Sequence, residues 1–212
     1  MIALSSAYKQ ALVAVEINGK RAFRTLDANC KHSENLLPSL DDALEEIDEK
    51  VDLQKETFAV IVGPGSFTGL RIATSLVKGL LAGNNEANTL PLTTFALMAY
   101  SYIKNFKPSE NFLCIINGLS GYYFICEFDC SGNQIGDEKM VTKADLETNQ
   151  LQKVSLEEEN LEGIQIKPTP EEFLALANEK SRSQPLICAA CLLPLYLRKS
   201  QAEAALEEKE KK

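Results

Sequence analysis

One stretch limits the possible folds of this chain more than any other. It runs Val60-Ile-Val-Gly-Pro-Gly-Ser-Phe-Thr-Gly-Leu-Arg-Ile-Ala-Thr-Ser-Leu-Val-Lys-Gly-Leu80. A β-type run, Phe58 to Val62, enters a turn at Gly63-Pro64-Gly65 and leaves along a helical pattern, with Ser66 or Thr68 placed to cap the first turn. Strand, glycine turn and helix in that order belong to α/β proteins. The junction puts backbone N–H groups and the positive end of a helix at the carboxyl edge of a sheet, where an anion or a partner can sit. The helix, Thr68 to Ala82, carries small residues at Gly69, Ala73 and Gly83 and at Thr68, Ser75 and Gly79. A glycine inside a helix costs about 1 kcal/mol against alanine. Such glycines suit a close approach of backbones, so the helix is expected to pack on more than one side, either within its own domain or between chains.

The 212 residues suffice for one large domain or two small ones with a core that needs no staples. A net charge of −8 leaves no basic surplus to release counterions from phosphates, so a tight, self-sufficient grip on nucleic acid is not expected and any contact with RNA should run through a partner. The six cysteines include one C-x-x-C pair, Cys188-Ala-Ala-Cys191, which with a single histidine does not supply the four ligands of a zinc site. They read as small, buried, reduced thiols. Met1 leads into a short apolar run without a basic leader, and no apolar stretch is long enough to span a membrane. The expected compartment is the cytoplasm.

In chain order, Ile2 to Ser6 and Gln10 to Ile17 are β-type, and Asn18-Gly19 before Lys20 to Leu26 predicts a hairpin with a type I′ turn. Between Ser33 and Glu49, Leu36, Leu37, Leu40, Ala43, Leu44 and Ile47 form one apolar stripe opposite an acidic face, which predicts an amphipathic helix capped by Ser33 and bent mildly at Pro38. After the central unit, Leu90 to Ile103 reads as a strand end and then a helix capped by Thr93 or Thr94. The polar run Asn105 to Glu110, broken by Pro108, is the expected boundary. The division is then a first α/β lobe at 1–104, a second at 105–198, and a charged tail at 199–212, helical or frayed. The second lobe opens with a β-meander (Asn111–Asn117, Gly121–Asp129, Gln134–Thr142). Residues Lys143 to Lys167 are too weakly patterned to order, Thr169 to Asn178 is a capped helix with proline at its first position, and Leu186 to Leu197 is an apolar run broken by Pro194. The two halves echo each other roughly, each starting with a β-hairpin and ending in helix.

Gly63-Pro-Gly-Ser-Phe-Thr-Gly-Leu-Arg-Ile72, followed by Lys78-Gly79-Leu80, resembles the signature of the TsaB (YeaZ) family of bacterial tRNA threonylcarbamoyladenosine proteins. His32-Ser-Glu-Asn-Leu-Leu-Pro38 is similar to the family's H-S-E-x-L-L-P segment, and Pro194-Leu-Tyr-Leu-Arg198 to its C-terminal P-x-Y-L-R. The resemblance implies an actin-like, ribonuclease-H-like α/β fold of two lobes. It also implies a non-catalytic partner for a TsaD-like catalytic subunit, assembled with a TsaE-like ATPase and touching tRNA only indirectly. Two departures stand out. The family opens with a strand ending in Asp-Thr-Ser, the counterpart of the first phosphate loop of actin-like ATPases, where this chain has Leu4-Ser5-Ser6; leucine cannot coordinate Mg²⁺. Where the family tends to show D-A-R, this chain has Asn117-Gly118-Leu119.

Catalytic relatives of the family carry two histidines at i, i+4 on a helix. Here His32 is the only histidine and Leu36 stands four residues on, so no metal site is expected and His32 reads as a capping or packing residue. No Ser-His or Cys-His arrangement is apparent, and no catalytic residue is assigned. The glycine turn fails as a Walker loop, having Leu70-Arg71 after Gly69, and as a dinucleotide fingerprint, being one residue too long. A weak anion contact at the helix start, ATP or ADP within a complex, would fall on Gly65, Ser66 and Arg71; no intrinsic cofactor is expected. In related proteins the two helices pair with their equivalents in a neighbour, which assigns a partner or homodimer interface to Leu36, Leu40, Phe67, Ile72, Ser75 and Gly79. The expected function is a scaffold for the TsaD-like subunit, with a small nucleotide-dependent enzyme or kinase of the same fold, or a self-associating binding protein, as the alternatives.

Overall fold

The structure, a computed structural model, describes residues 1–118, 120–159 and 161–197. Leu119, Arg198 and the charged tail 199–212 lie outside the described residues.

The chain opens with an antiparallel meander of β1 (Ile2–Ser5), β2 (Ala11–Ile17) and β3 (Lys20–Leu26). Asn18 and Gly19 join β2 to β3 with φ of 51° and 80°, the positive pair a type I′ turn demands. Helix α1 (His32–Ile47) then returns to β4 (Phe58–Gly63), which pairs parallel with β1, and α2 (Phe67–Leu80) leads to β5 (Ala87–Thr93), parallel with β4. Helix α3 (Thr94–Phe106) crosses to a second sheet. There β6 (Phe112–Asn117), β7 (Tyr122–Phe128) and β8 (Gln134–Thr142) form another antiparallel meander. The short α4 (Lys143–Thr148) leads to β9 (Gln152–Leu156), parallel with β6, and β10 (Ile164–Ile166) pairs parallel with β9. Last come α5 (Pro170–Lys180) and the two-residue β11 (Ile187–Cys188).

The sheet orders are β11-β5-β4-β1-β2-β3 and β10-β9-β6-β7-β8. With β11 set aside, both have the same plan: a three-stranded meander whose first strand is extended in parallel by the fourth and then the fifth strand of the lobe. The echo seen in sequence is thus a repeated topology, and the molecule is an α/β protein of the actin-like, ribonuclease-H-like class with two mixed sheets flanked by helices.

Three apolar layers hold it together. The first lies between α1, α2 and one face of the first sheet, where Leu36, Leu40, Ala43 and Ile47 of α1 meet Ile2, Leu4, Val13 and Val60. The second lies on the opposite face, where Leu97 of α3 and Phe173, Leu174 and Ala177 of α5 cover Ala3, Leu12, Ala59 and Ile61. The third packs the other side of α3, through Phe95, Met98 and Tyr102, against Phe112, Ile116 and Phe128 of the second sheet. Helix α3 is therefore buried on two sides and couples the sheets.

Local details differ from the sequence expectation in several places. α1 begins at His32, so Ser33 is a helical residue and not the cap; Lys31 holds the cap position without a side-chain bond. Pro38 lies inside α1 and supplies no N–H to the turn before it. Ser66 caps α2 by accepting from the Gly69 N–H, and Thr93 caps α3 by accepting from Ala96. The run 143–167, unordered by sequence, supplies α4, β9 and β10. Residues 170–192, grouped by sequence with the second lobe, return to the first: α5 packs on β1, β2 and β3, and β11 pairs with β5. The cysteines are not uniformly buried. Cys114 and Cys126 are, whereas Cys30, Cys130 and Cys191 are exposed and Cys188 is half-buried.

Candidate functional site

The glycine turn after β4 is held from two sides. Gly63 has φ of 135° and is followed by a cis bond to Pro64. A Cβ on Gly63 would come within 2.6 Å of the Leu195 carbonyl oxygen, and the Leu195 N–H donates to the Val62 oxygen at 2.7 Å, so the C-terminal segment straps the turn from one side. On the other, the Ser66 N–H donates to the Ala7 oxygen at 2.8 Å, a Cβ on Gly65 would overlap that oxygen, and one on Gly69 would overlap the Ser6 carbonyl oxygen. Close backbone approach is thus the reason for Gly63, Gly65 and Gly69. Gly79, at the far end of the same helix, has open space where its Cβ would be.

This turn is one wall of a cleft of about 720 Å³ between the lobes. Ala7, Tyr8 and Lys9 contribute to it from the β1–β2 loop, Pro64 to Thr68 from the glycine turn, Asn117 and Gly118 from the end of β6, and Glu158 and Glu159 from the turn after β9. The Asn117 N–H donates to Glu159 Oε2 at 3.0 Å, the Lys9 N–H donates to Glu158 Oε1 at 2.8 Å, and Lys9 Nζ donates to the Glu158 carbonyl at 3.0 Å. Burial raises the Glu159 carboxyl to about 7, with Glu158 adding to the rise and the Asn117 hydrogen bond and Lys9 opposing it. Burial also drives the Tyr8 phenol far up, and its hydroxyl, near Thr94, has no partner in good hydrogen-bond geometry among the described residues. A carboxyl that titrates near neutrality can hold or release a proton in the cleft. The two glutamates, offset by one lysine, also oppose a phosphate there.

Of the residues expected to touch an anion, Gly65 and Ser66 line the cleft, but their neighbourhood is largely satisfied internally. The Ser66 N–H is spent on Ala7 and the Gly69 N–H on Ser66 Oγ. Arg71 is not brought to them. Its guanidinium lies 4.0 Å from the centre of the Phe67 ring, and its Nε donates to the Tyr196 hydroxyl at 3.0 Å. Phe67 and Tyr196 themselves pack with ring centroids 4.8 Å apart and planes tilted by 32°. Leu4, standing where the family opens with aspartate, is fully buried in the apolar layer under α1 and α2.

His32 opens α1 with its Nδ1 2.9 Å from Ser6 Oγ, while its Nε2 is buried and without a partner among the described residues. A Ser–His contact, absent from the sequence reading, therefore exists. Ser6 is fully buried, however, so its hydroxyl cannot meet a substrate carbonyl, and the pair works as packing between the first loop and α1. Among the described residues no three His, Cys, Asp or Glu side chains converge as metal ligands.

The expected interface residues divide. Phe67 is 38% exposed, and Ser75 and Gly79 are exposed on α2, while Ile72 is half-buried against the core. Leu36 and Leu40 are corrected: at 1% and 0% exposure they belong to the internal layer, because the α1 positions spaced by four point at the sheet. Leu37, next to them, is the leucine that faces outward, at 42%. Tyr196, Glu158, Glu159 and Lys9 escaped the sequence reading. Only the P-x-Y-L-R resemblance pointed toward one of them.

With this geometry, three comparisons fix the relationship. The family described as TsaD, tRNA N6-adenosine threonylcarbamoyltransferase, matches residues 26–141, just over half the chain. The tRNA threonylcarbamoyladenosine biosynthesis protein TsaB of Buchnera aphidicola subsp. Baizongia pistaciae (strain Bp) is 32% identical over 95 residues, 44% of this chain. The chain belongs to the family of that model, with a TsaB protein among its relatives. The aligned segment spans 42% of the length of the Buchnera protein. Two crystal structures from Pseudomonas aeruginosa share the fold: a protein described as similar to peptidase YEAZ, with TM-score 0.74, 22% identity and coverage of 93% of this chain and 98% of that one, and YeaZ itself, with TM-score 0.73, 22% identity and coverage of 92% and 98%. Among the described residues, no helix is long and apolar enough to cross a membrane.

Proposed function

We propose that this protein is a non-catalytic subunit of the machinery that makes threonylcarbamoyladenosine in tRNA, binding and supporting a TsaD-like catalytic subunit in the cytoplasm. The observation that carries this reading is the use made of α2. The Ser66 and Gly69 N–H groups at its start are consumed by contacts inside the molecule, whereas the side-chain positions of Phe67, Arg71, Ser75 and Gly79 form an exposed strip with an aromatic anchor and an open position at Gly79. Aromatic and arginine anchors beside small residues suit a helix-to-helix contact. The name of the Buchnera relative supports the pathway. A TsaE-like ATPase belongs to the same proposed assembly, tRNA is reached only through the catalytic subunit, and the chain pairs with itself through the same face when the partner is absent.

Co-expression with a TsaD-like subunit tests it: the two proteins should co-purify in one peak and separate when Phe67 and Gly79 are both replaced by bulky charged residues. A second reading, a nucleotide-dependent enzyme, draws on the inter-lobe cleft and the proton held by Glu159 near neutrality. Titration calorimetry of the isolated chain with ATP and Mg²⁺ separates the two; tight binding or turnover would sink the scaffold reading, and weak ADP or ATP contact confined to Gly65 and Ser66 would leave it standing.

A further inference from the structure

Cys188 ends β11 and Cys191 ends the single 3₁₀ turn that follows it. The turn is closed by the Leu192 N–H donating to the Ala189 oxygen at 3.1 Å, and it brings the two sulfur atoms to 3.0 Å. A disulfide has its sulfurs about 2.05 Å apart. Closure therefore asks the side-chain tips to approach by about 1 Å, which rotation of the two side chains can supply while the turn keeps its backbone bond. Solvent reaches the pair, since Cys191 is exposed and Cys188 half-buried. The remaining cysteines lack this combination. Cys114 and Cys126 face each other across β6 and β7, but both are buried, and burial raises both thiols, Cys126 to about 12. Cys30 and Cys130 are exposed and free.

We infer that Cys188 and Cys191 form a thiol–disulfide exchange site whose reaction partner is a low-molecular-weight disulfide such as glutathione disulfide. Solvent reaches both sulfurs, so either can open the exchange, and the 3.0 Å between them places the second in reach of the first. When Cys188 opens it, the Cys188 thiolate attacks one sulfur of the small disulfide, whose S–S bond breaks as one thiolate leaves. Cys191 then gives up its proton, beside the positive charge of Lys78 on α2, and attacks the Cys188 sulfur, expelling the second small thiolate. The protein loses two electrons and two protons, and the small disulfide becomes two thiols. The turn so locked leads directly into the strap that binds Val62 through Leu195 and packs Tyr196 against Phe67.

The test places the full chain in glutathione buffers of increasing oxidised fraction, quenched at timed intervals with an alkylating reagent and read by peptide mass spectrometry. Cys188 and Cys191 should lose alkylation together, in one peptide lighter by two hydrogens, at least about tenfold faster than glutathione adds to Cys30 or Cys130. Cys191→Ser should accumulate a stable mixed disulfide on Cys188, and Cys188→Ser one on Cys191, in place of the loss of two hydrogens. Independent alkylation of the two thiols at every buffer ratio would overturn the inference, as would modification no faster than at Cys30 and Cys130.

Discussion

Gly69 and Gly79 lie on the same helix and are read alike from sequence, yet they do opposite things. A side chain at Gly69 would collide with the Ser6 carbonyl, so this glycine exists for the fold; at Gly79 there is room on every side, so packing within the chain does not require it. The contrast extends across the face. Leu36 and Leu40 of α1 are sealed in the core, and Leu37 beside them is not. Residues near the glycine turn hold the first lobe together, while Gly79 near the far end of α2 is exposed and its Cβ position is open. The same residue type thus sits in a crowded and in an open environment on one element, and only burial separates them.

The largest effect should come from the internal end. Gly69→Ala is expected to cost more than about 3 kcal/mol of stability, because the obstructing atom is backbone and cannot move aside; a chemical denaturation midpoint near wild type would break the contrast. Leu40→Ala should follow at about 3 kcal/mol from the cavity it leaves, with Leu37→Ala within about 0.5 kcal/mol of wild type in the same denaturation series. A smaller effect concerns the cleft. The folded Glu159 carboxyl, raised to about 7 from 4.5, keeps a proton that the unfolded chain has already released, so its stabilising contribution is complete below about pH 4.5 and is lost as pH rises through 7. Screened by its partial exposure, this amounts to on the order of 1–2 kcal/mol, and Glu159→Gln should flatten that part of the stability–pH curve. Smallest is Gly79→Ala, which should raise stability by about 0.5 kcal/mol through helix propensity, detectable as a slightly higher thermal midpoint; a loss would place an unseen internal contact at Gly79.

Much of the fold was legible because it is local. The Asn18-Gly19 hairpin, the α1 stripe, the capped starts of α2 and α5 and the strand–turn–helix at Gly63 each announce themselves within a few residues. What failed to show was long-range. Nothing in Ile187-Cys188 says that it pairs with Thr89 nearly a hundred positions away, and β9 and β10 are short parallel strands without alternation. The candidate site was half legible for the same reason. Gly65 and Ser66 lie in the signature itself, whereas Glu159 meets Asn117, 42 positions away, only in the folded chain, and Tyr196 meets Arg71 from 125 positions away.

The most direct measurement is the affinity of a TsaD-like subunit for wild-type protein and for Gly79→Leu, taken by calorimetry alongside the thermal midpoint of each. The proposed interface predicts a folded variant whose binding is weaker by about 1–3 kcal/mol, roughly five- to a hundredfold. Equal affinities in two equally folded proteins would contradict it.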